Sequence, residues 1–130
     1  FQLWGQQTVQ WSANYNADSN QLEVTAKIKE GWHIYSQDQN EDTGPVATSF
    51  EIQVNDTLIK GMEEPETIIR NDSNFGGEVM YLEGKPVFTK QLPLNVEGKV
   101  EVQIIYMSCN DEGCLPPELK KFELIVKEDE

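Results

Sequence analysis

Val100-Glu101-Val102-Gln103-Ile104-Ile105-Tyr106 puts Val100, Val102, Ile104 and Tyr106 on one parity, with Glu101 and Gln103 between them. Successive side chains of a β-strand point to opposite faces, so this alternation marks a strand with one face buried and the other wet. The pattern recurs on either side. Val9, Trp11 and Ala13 share a parity, as do Leu22, Val24, Ala26 and Ile28. Phe50, Ile52 and Val54 repeat it, and so do Phe122, Leu124 and Val126. Shorter strands are expected near Trp32 to Tyr35, Thr67 to Arg70, Val79 to Leu82 and Val87 to Leu92. The breaks carry turn chemistry: Asn16 to Asn20, Glu30-Gly31, Gly44-Pro45, Gly76-Gly77, Glu83-Gly84 and Glu97-Gly98. Gln37 to Thr48 is a long polar connection, and Lys127 to Glu130 is expected to fray or to begin a linker. No window has helical periodicity and no internal repeat is visible. Eight or nine short strands separated by turns predict an all-β chain folded as an immunoglobulin-like antiparallel β-sandwich. The Cys…Trp…Cys spacing of antibody domains is absent, so only the architecture is implied.

The 130 residues are expected to form a single domain over 1–130. A chain of that size buries enough surface to hold a core without covalent staples. With 23 Asp and Glu against 10 Lys and Arg, the formal charge is −13. That argues against a nucleic-acid partner, which would need a basic face, and against docking on an anionic membrane surface. Its ordinary role is solubility. No run approaches the roughly 18 apolar residues of a membrane span. The chain starts at Phe1 without a methionine, so an upstream segment is expected to have been removed, by a signal peptidase or by choice of expression boundaries. Two glycosylation-type triplets, Asn55-Asp56-Thr57 and Asn71-Asp72-Ser73, are short enough to occur by chance.

The two cysteines, Cys109 and Cys114, sit together in Cys109-Asn110-Asp111-Glu112-Gly113-Cys114-Leu115-Pro116-Pro117. A disulfide between them closes a small loop, which chain entropy values at only about 2 kcal/mol against roughly 4.7 for a hundred-residue loop. It is poorly placed to staple a domain and well placed to open and close without unfolding it. Residues opposed across a hairpin have Cα atoms about 4.5–5.5 Å apart, inside the disulfide range of about 4.4–6.8 Å. The strand ending at Tyr106-Met107 and the one beginning near Leu119 would flank the loop. Pro116 and Pro117 lack amide hydrogens, so the returning arm cannot resume a ladder at once. Asp111, Glu112 and Glu118 bring negative charge near the sulfurs, which disfavours a free-standing thiolate nucleophile. A dithiol that reacts when a partner docks is compatible with that charge. Metal binding is the competing chemistry. His33, the single histidine, and the two thiolates give three N/S ligands, one short of a closed zinc site. Met107 and Met80 would suit Cu(I), but methionine on a strand usually fills a core, and no cofactor is expected. On the residues alone, redox exchange and a non-catalytic immunoglobulin-like binding module with a structural hairpin disulfide both stay open. An exchanging cystine is reducible in the folded state, whereas a structural one resists the thiol pool.

Gly31-Trp32-His33-Ile34-Tyr35-Ser36-Gln37, then Gly44-Pro45 and Thr48-Ser49-Phe50, and finally Cys109 with Cys114-Leu115-Pro116-Pro117, resemble the N-terminal periplasmic domain of the thiol:disulfide interchange protein DsbD. The likeness runs from about Val9 to Val126. It implies a periplasmic immunoglobulin-like domain, of the kind that forms part of a larger inner-membrane protein, that acts as a protein-disulfide reductase. Electrons would come from a thioredoxin-like domain or membrane reductase and pass to periplasmic thiol proteins. Cys109 and Cys114 would carry the exchange, with the second cysteine bonding to the partner. By the same resemblance Phe75, in Asn74-Phe75-Gly76-Gly77, caps the cysteines, and Tyr35 packs beneath them. The chain departs from the best-known relative in having one residue fewer between the cysteines and Gly76 in place of a second aromatic. Trp32 and Ile34 are expected in the core, and His33 as a structural histidine with its hydrogen bonds satisfied.

Overall fold

The computed structural model describes residues 7–94 and 96–126. The start at Phe1 and the tail expected from Lys127 to Glu130 lie outside the described residues. In chain order the strands are β1 (Val9–Asn16), β2 (Gln21–Ile28), β3 (His33–Tyr35), β4 (Ser49–Val54), β5 (Thr57–Lys60), β6 (Ile68–Asp72), β7 (Gly77–Leu82), β8 (Val87–Gln91), β9 (Gly98–Tyr106), β10 (Ser108–Asn110), β11 (Gly113–Cys114) and β12 (Glu118–Val126). They pair antiparallel in three sheets, ordered β1-β2-β8, β12-β9-β4-β5 and β11-β10-β3-β7-β6. One turn of 3-10 helix, Glu41–Thr43, interrupts the polar connection after β3.

The alternating parity of β9 sets the core. Val100, Val102 and Ile104 are fully buried, and they face Val54, Ile52 and Phe50 of β4 in register. The opposing sheet answers with Trp11 from β1, Leu22, Val24 and Ala26 from β2, and Phe88 from β8. The Phe50 and Phe88 rings lie 4.8 Å apart, and Trp11 meets Phe50, Phe88 and Tyr106 at 6.1, 6.1 and 5.3 Å. Burying one such side chain contributes about 1.5–3 kcal/mol. Two antiparallel layers with an apolar interior are the immunoglobulin-like sandwich that the alternation predicts.

The third sheet shares one face with this core through Ile34 and Leu82. Its other face carries a second cluster of Tyr35, Val79, Tyr81, Met107 and Cys109. Strand β9 ends at Tyr106, passes Met107 and re-enters this sheet as β10; β11 leaves it again and, after Pro116-Pro117, pairs with β9 as β12. The cystine is therefore the tip of a long hairpin handed from one sheet to another. The polar connection after β3 is fixed by side-chain hydrogen bonds. Glu64 accepts from the Ser36 hydroxyl, from Gln37 N–H at 3.1 Å and from Gln37 Nε2 at 3.0 Å, while Gln39 Oε1 accepts from Met80 N–H at 2.7 Å.

Among the described residues there are twelve strands where eight or nine are expected from the sequence. Strand β5 was not expected, because its side chains are mostly exposed and show no alternation. The first glycosylation-type triplet is the turn that makes this hairpin: Val54 pairs Thr57 across Asn55-Asp56, with Asn55 at φ 54°. Asparagine tolerates that left-handed conformation.

Candidate active site

Asn110 shapes the cysteine hairpin. Its Oδ1 accepts from Glu112 N–H at 2.8 Å and Gly113 N–H at 3.0 Å, closing a turn at Asp111-Glu112 and setting Asn110 opposite Gly113. That register puts Cys109 opposite Cys114, joined by an S–S bond with Cα atoms 4.0 Å apart. The Leu115 N–H donates to Ser108 O at 3.0 Å, and the prolines then end the ladder. Since Ser108 and Leu115 form a hydrogen-bonded pair, the cysteines form the non-hydrogen-bonded pair next to it, the type in which strands come closest. This accounts for a separation shorter than the hairpin average expected from the sequence.

The two cysteines differ in exposure. Cys109 is 0% exposed, lying on β10 between β11 and β3, whereas Cys114 is exposed on a two-residue edge strand. Phe75 packs against the cluster that holds Cys109, its ring edge-on to Tyr35 at 6.2 Å. The ring is wedged by Gly44, where an added Cβ would fall 2.4 Å from Phe75 Cδ1. Asn74 Nδ2 donates to Asn110 O at 2.8 Å and ties the Phe75 loop to the cysteine hairpin. Gly76, at φ 68°, turns the chain back into β7.

Beside the cystine runs a polar network. Tyr35 Oη donates to Asp72 Oδ2 at 2.6 Å, and His33 Nε2 lies 3.0 Å from Tyr35 Oη and 3.5 Å from Asp72 Oδ2. Asp72 Oδ1 also accepts from Asn74 N–H at 2.8 Å. Burial, with the bond into Asp72, pushes the Tyr35 hydroxyl far above its ordinary value, so it stays protonated. Burial would also raise Asp72, but the hydrogen bonds from Tyr35 and Asn74 and the nearby His33 outweigh it and hold the carboxyl below its usual range. Burial lowers His33 below its ordinary 6.5, against the pull of Asp72, Asp111 and Glu83. The His33 ring stacks on Tyr81 at 4.5 Å, and the Arg70 guanidinium sits 5.5 Å from the same ring.

The structure thus gathers Cys109, Cys114, Phe75 and Tyr35, and it separates the acids. Asp111 lines a recess of about 250 Å³ with His33, Arg70, Asp72, Tyr81 and Glu83. Glu112 serves the turn through its N–H. Glu118 accepts from Tyr106 Oη at 3.0 Å; burial and that carboxylate push the Tyr106 hydroxyl up to about 12. Among the described residues no group of three or more His, Cys, Asp or Glu is arranged to hold a metal, and Met107 lies in the core. Sequence reasoning missed Asp72. An acid before a glycine turn reads as a turn residue, and Asp72 does close one, but its second oxygen serves the network.

The family described as thiol:disulfide interchange protein DsbD, N-terminal, matches residues 3–125. The chain belongs to this family. Two solved structures share the fold. The crystal structure of the Neisseria meningitidis DsbD N-terminal domain in the reduced form matches with a TM-score of 0.60 at 13% identity, over 92% of this chain and 86% of that one. The complex between the DsbD N-terminal and PilB N-terminal domains from Neisseria meningitidis matches with a TM-score of 0.62 at 12% identity, over 87% and 80%. At such identities the likeness speaks for the fold alone. No curated protein matches the chain. A DsbD N-terminal domain that carries the Cys109–Cys114 cystine has thiol–disulfide exchange as its general chemistry. No helix among the described residues is long and apolar enough to cross a membrane.

Proposed function

We propose that the chain is a single periplasmic exchange domain that takes reducing equivalents from a thioredoxin-like domain or membrane reductase and passes them to periplasmic thiol proteins. The observation that carries this reading is the unequal burial of the cysteines: Cys114 exposed on an edge, Cys109 at 0% in the second core. A partner thiolate attacks Cys114 Sγ. The new S–S bond forms as the Cys109–Cys114 bond breaks, and the electron pair leaves on Cys109 Sγ. The partner's second thiolate then attacks its own sulfur in the mixed disulfide and releases Cys114. Two electrons have moved: the partner is left as a disulfide and this chain as a dithiol. In the reverse direction Cys114 attacks an acceptor disulfide and Cys109 resolves the intermediate. Phe75 shields Cys109 between encounters.

Trapping tests the roles. Cys109→Ala and Cys114→Ala are each challenged with a thioredoxin-like protein lacking its resolving cysteine. A persistent mixed disulfide with Cys109→Ala and little with Cys114→Ala is expected. The opposite pattern reverses the roles, and no complex with either variant rejects the relay.

A further inference from the structure

Cys109 pairs His33 across β10 and β3, as it pairs Cys114 across β10 and β11, so Cys114, Cys109 and His33 form one row across the sheet. Directly opposed residues project from the same face with Cβ atoms about 4.5–5.5 Å apart. This register sets His33 on the strand beside the buried cysteine, on the same face of the sheet and on the side away from Cys114.

The hydrogen bonds also fix its tautomer. Tyr35 Oη has one hydrogen and gives it to Asp72 at 2.6 Å. At the 3.0 Å contact between His33 Nε2 and Tyr35 Oη, the histidine must then be the donor. Neutral His33 carries its hydrogen on Nε2, and Nδ1 is the position left to gain and lose a proton. Among the described residues no hydrogen bond occupies Nδ1.

We infer that His33 Nδ1 is the proton donor and acceptor for Cys109 Sγ during exchange. This rests on the relay reading above. When a partner thiolate takes Cys114, the electron pair arriving on Cys109 Sγ is met by the proton of the His33 imidazolium, leaving a thiol and a neutral imidazole that solvent reprotonates. In the reverse step the neutral imidazole takes the proton from the Cys109 thiol as its sulfur attacks the Cys114 mixed disulfide. No oxidant or reductant beyond the partner enters. The groups that face the imidazole are Tyr35 on its own strand, Asp72 and Arg70 on β6, Tyr81 on β7, Glu83 just beyond it, and Asp111 in the cysteine turn. Tyr35 and Tyr81 stay neutral, and the carboxylates of Asp72, Asp111 and Glu83 favour the imidazolium against the effect of burial.

The test is the rate at which dithiothreitol reduces the oxidised chain across pH 5–8, divided by the thiolate concentration of the reagent so that its own ionisation drops out. His33 is the only histidine, so its ring resonance gives its titration midpoint in the wild type directly. The normalised rate is expected to fall through that midpoint, by on the order of 10²-fold, the lower end of what a positioned acid contributes. H33Q, which keeps a donor towards Tyr35, and H33F should both show flat profiles at the lower rate. A wild-type profile without a bend at the midpoint, or a bend that survives in H33Q, overturns the role of His33 while leaving the relay intact. A cystine that resists dithiothreitol at every pH rejects the relay, and this inference with it.

Discussion

Phe75 and Gly44 act as one unit. The ring packs against the cluster that holds Cys109 only because residue 44 has no Cβ, and Gly44 also holds φ at 135°, which other residues rarely adopt. Phe75→Ala should leave the fold intact and speed the reaction of the reduced protein with a thiol-reactive dye. Gly44→Ala should do the same without removing the ring, at a cost of roughly 1–3 kcal/mol in stability from backbone strain. In the double variant the dye rates should not add, and additive rates would mean that the two residues act separately. The polar network gives a second expectation at this scale. His33 is lowered in the folded state, so its neutral form stabilises the fold above about pH 6.5, the ordinary histidine value, and that contribution is lost as pH falls through the lower folded value. Asp72 is lowered too, so its contribution is present above about pH 3.9 and is lost further into acid. Thermal midpoints from pH 8 to pH 3 should fall in two steps, with His33→Phe removing the upper one and Asp72→Asn the lower. Asp72→Asn should also cost about 1.5–3 kcal/mol near neutrality, the range for a hydrogen bond to a charged group. An upper step that persists in His33→Phe would contradict the assignment.

Legibility divides by element. Strands with one buried face were plain in the sequence: the parities of Val100 to Tyr106, Leu22 to Ile28 and Phe50 to Val54 are the inward faces of β9, β2 and β4. Strand β5 was invisible because an exposed edge has no inward parity to read. Strands β10 and β11, at three and two residues, are too short to show a period at all. The two cysteines and the two prolines pointed only to a hairpin loop between a strand ending at Tyr106-Met107 and one beginning near Leu119. The site was legible to the same degree. The cysteines were marked by their own spacing and Phe75 and Tyr35 by the resemblance alone, whereas Asp72 and its bonds depend on bringing β6 beside β3 through β7, which no local pattern encodes. Asn110→Ala tests the hairpin as an element. It removes the acceptor of two turn N–H groups, worth about 0.5–1.5 kcal/mol each. The loss should be larger in reduced than in oxidised protein, where the disulfide holds the same turn; an equal loss in both would show that Asn110 does not organise the hairpin.

For the whole molecule the important division is between the two cores. The sandwich core, from Trp11 and Phe50 to Val102, contains neither cysteine, and Cys109 belongs to the smaller cluster on the third sheet. Reducing the disulfide should therefore lower stability by only about the closure entropy of a short loop, roughly 2 kcal/mol. Oxidised and reduced chains should keep one fold, seen as the same far-ultraviolet spectrum and a lower but still cooperative thermal midpoint. Loss of the folded baseline on reduction would make the cystine a structural staple.

In antiparallel pairing, main-chain groups that do not point into one neighbour point towards the other side. Cys109 and Cys114 form a non-hydrogen-bonded pair, so the amide and carbonyl of Cys114 face away from β10, across the open border of the sheet. Among the described residues β11 has no further strand there. The sulfur proposed to meet the partner thus comes with a main-chain donor and acceptor directed to the side of approach. A border two residues long is too short to seed open-ended strand addition, yet it can set the depth and direction of a single incoming residue. Recognition through the main chain is indifferent to the side chains of the visitor, which suits the proposed relay, in which the domain meets one protein to be reduced and another to be oxidised.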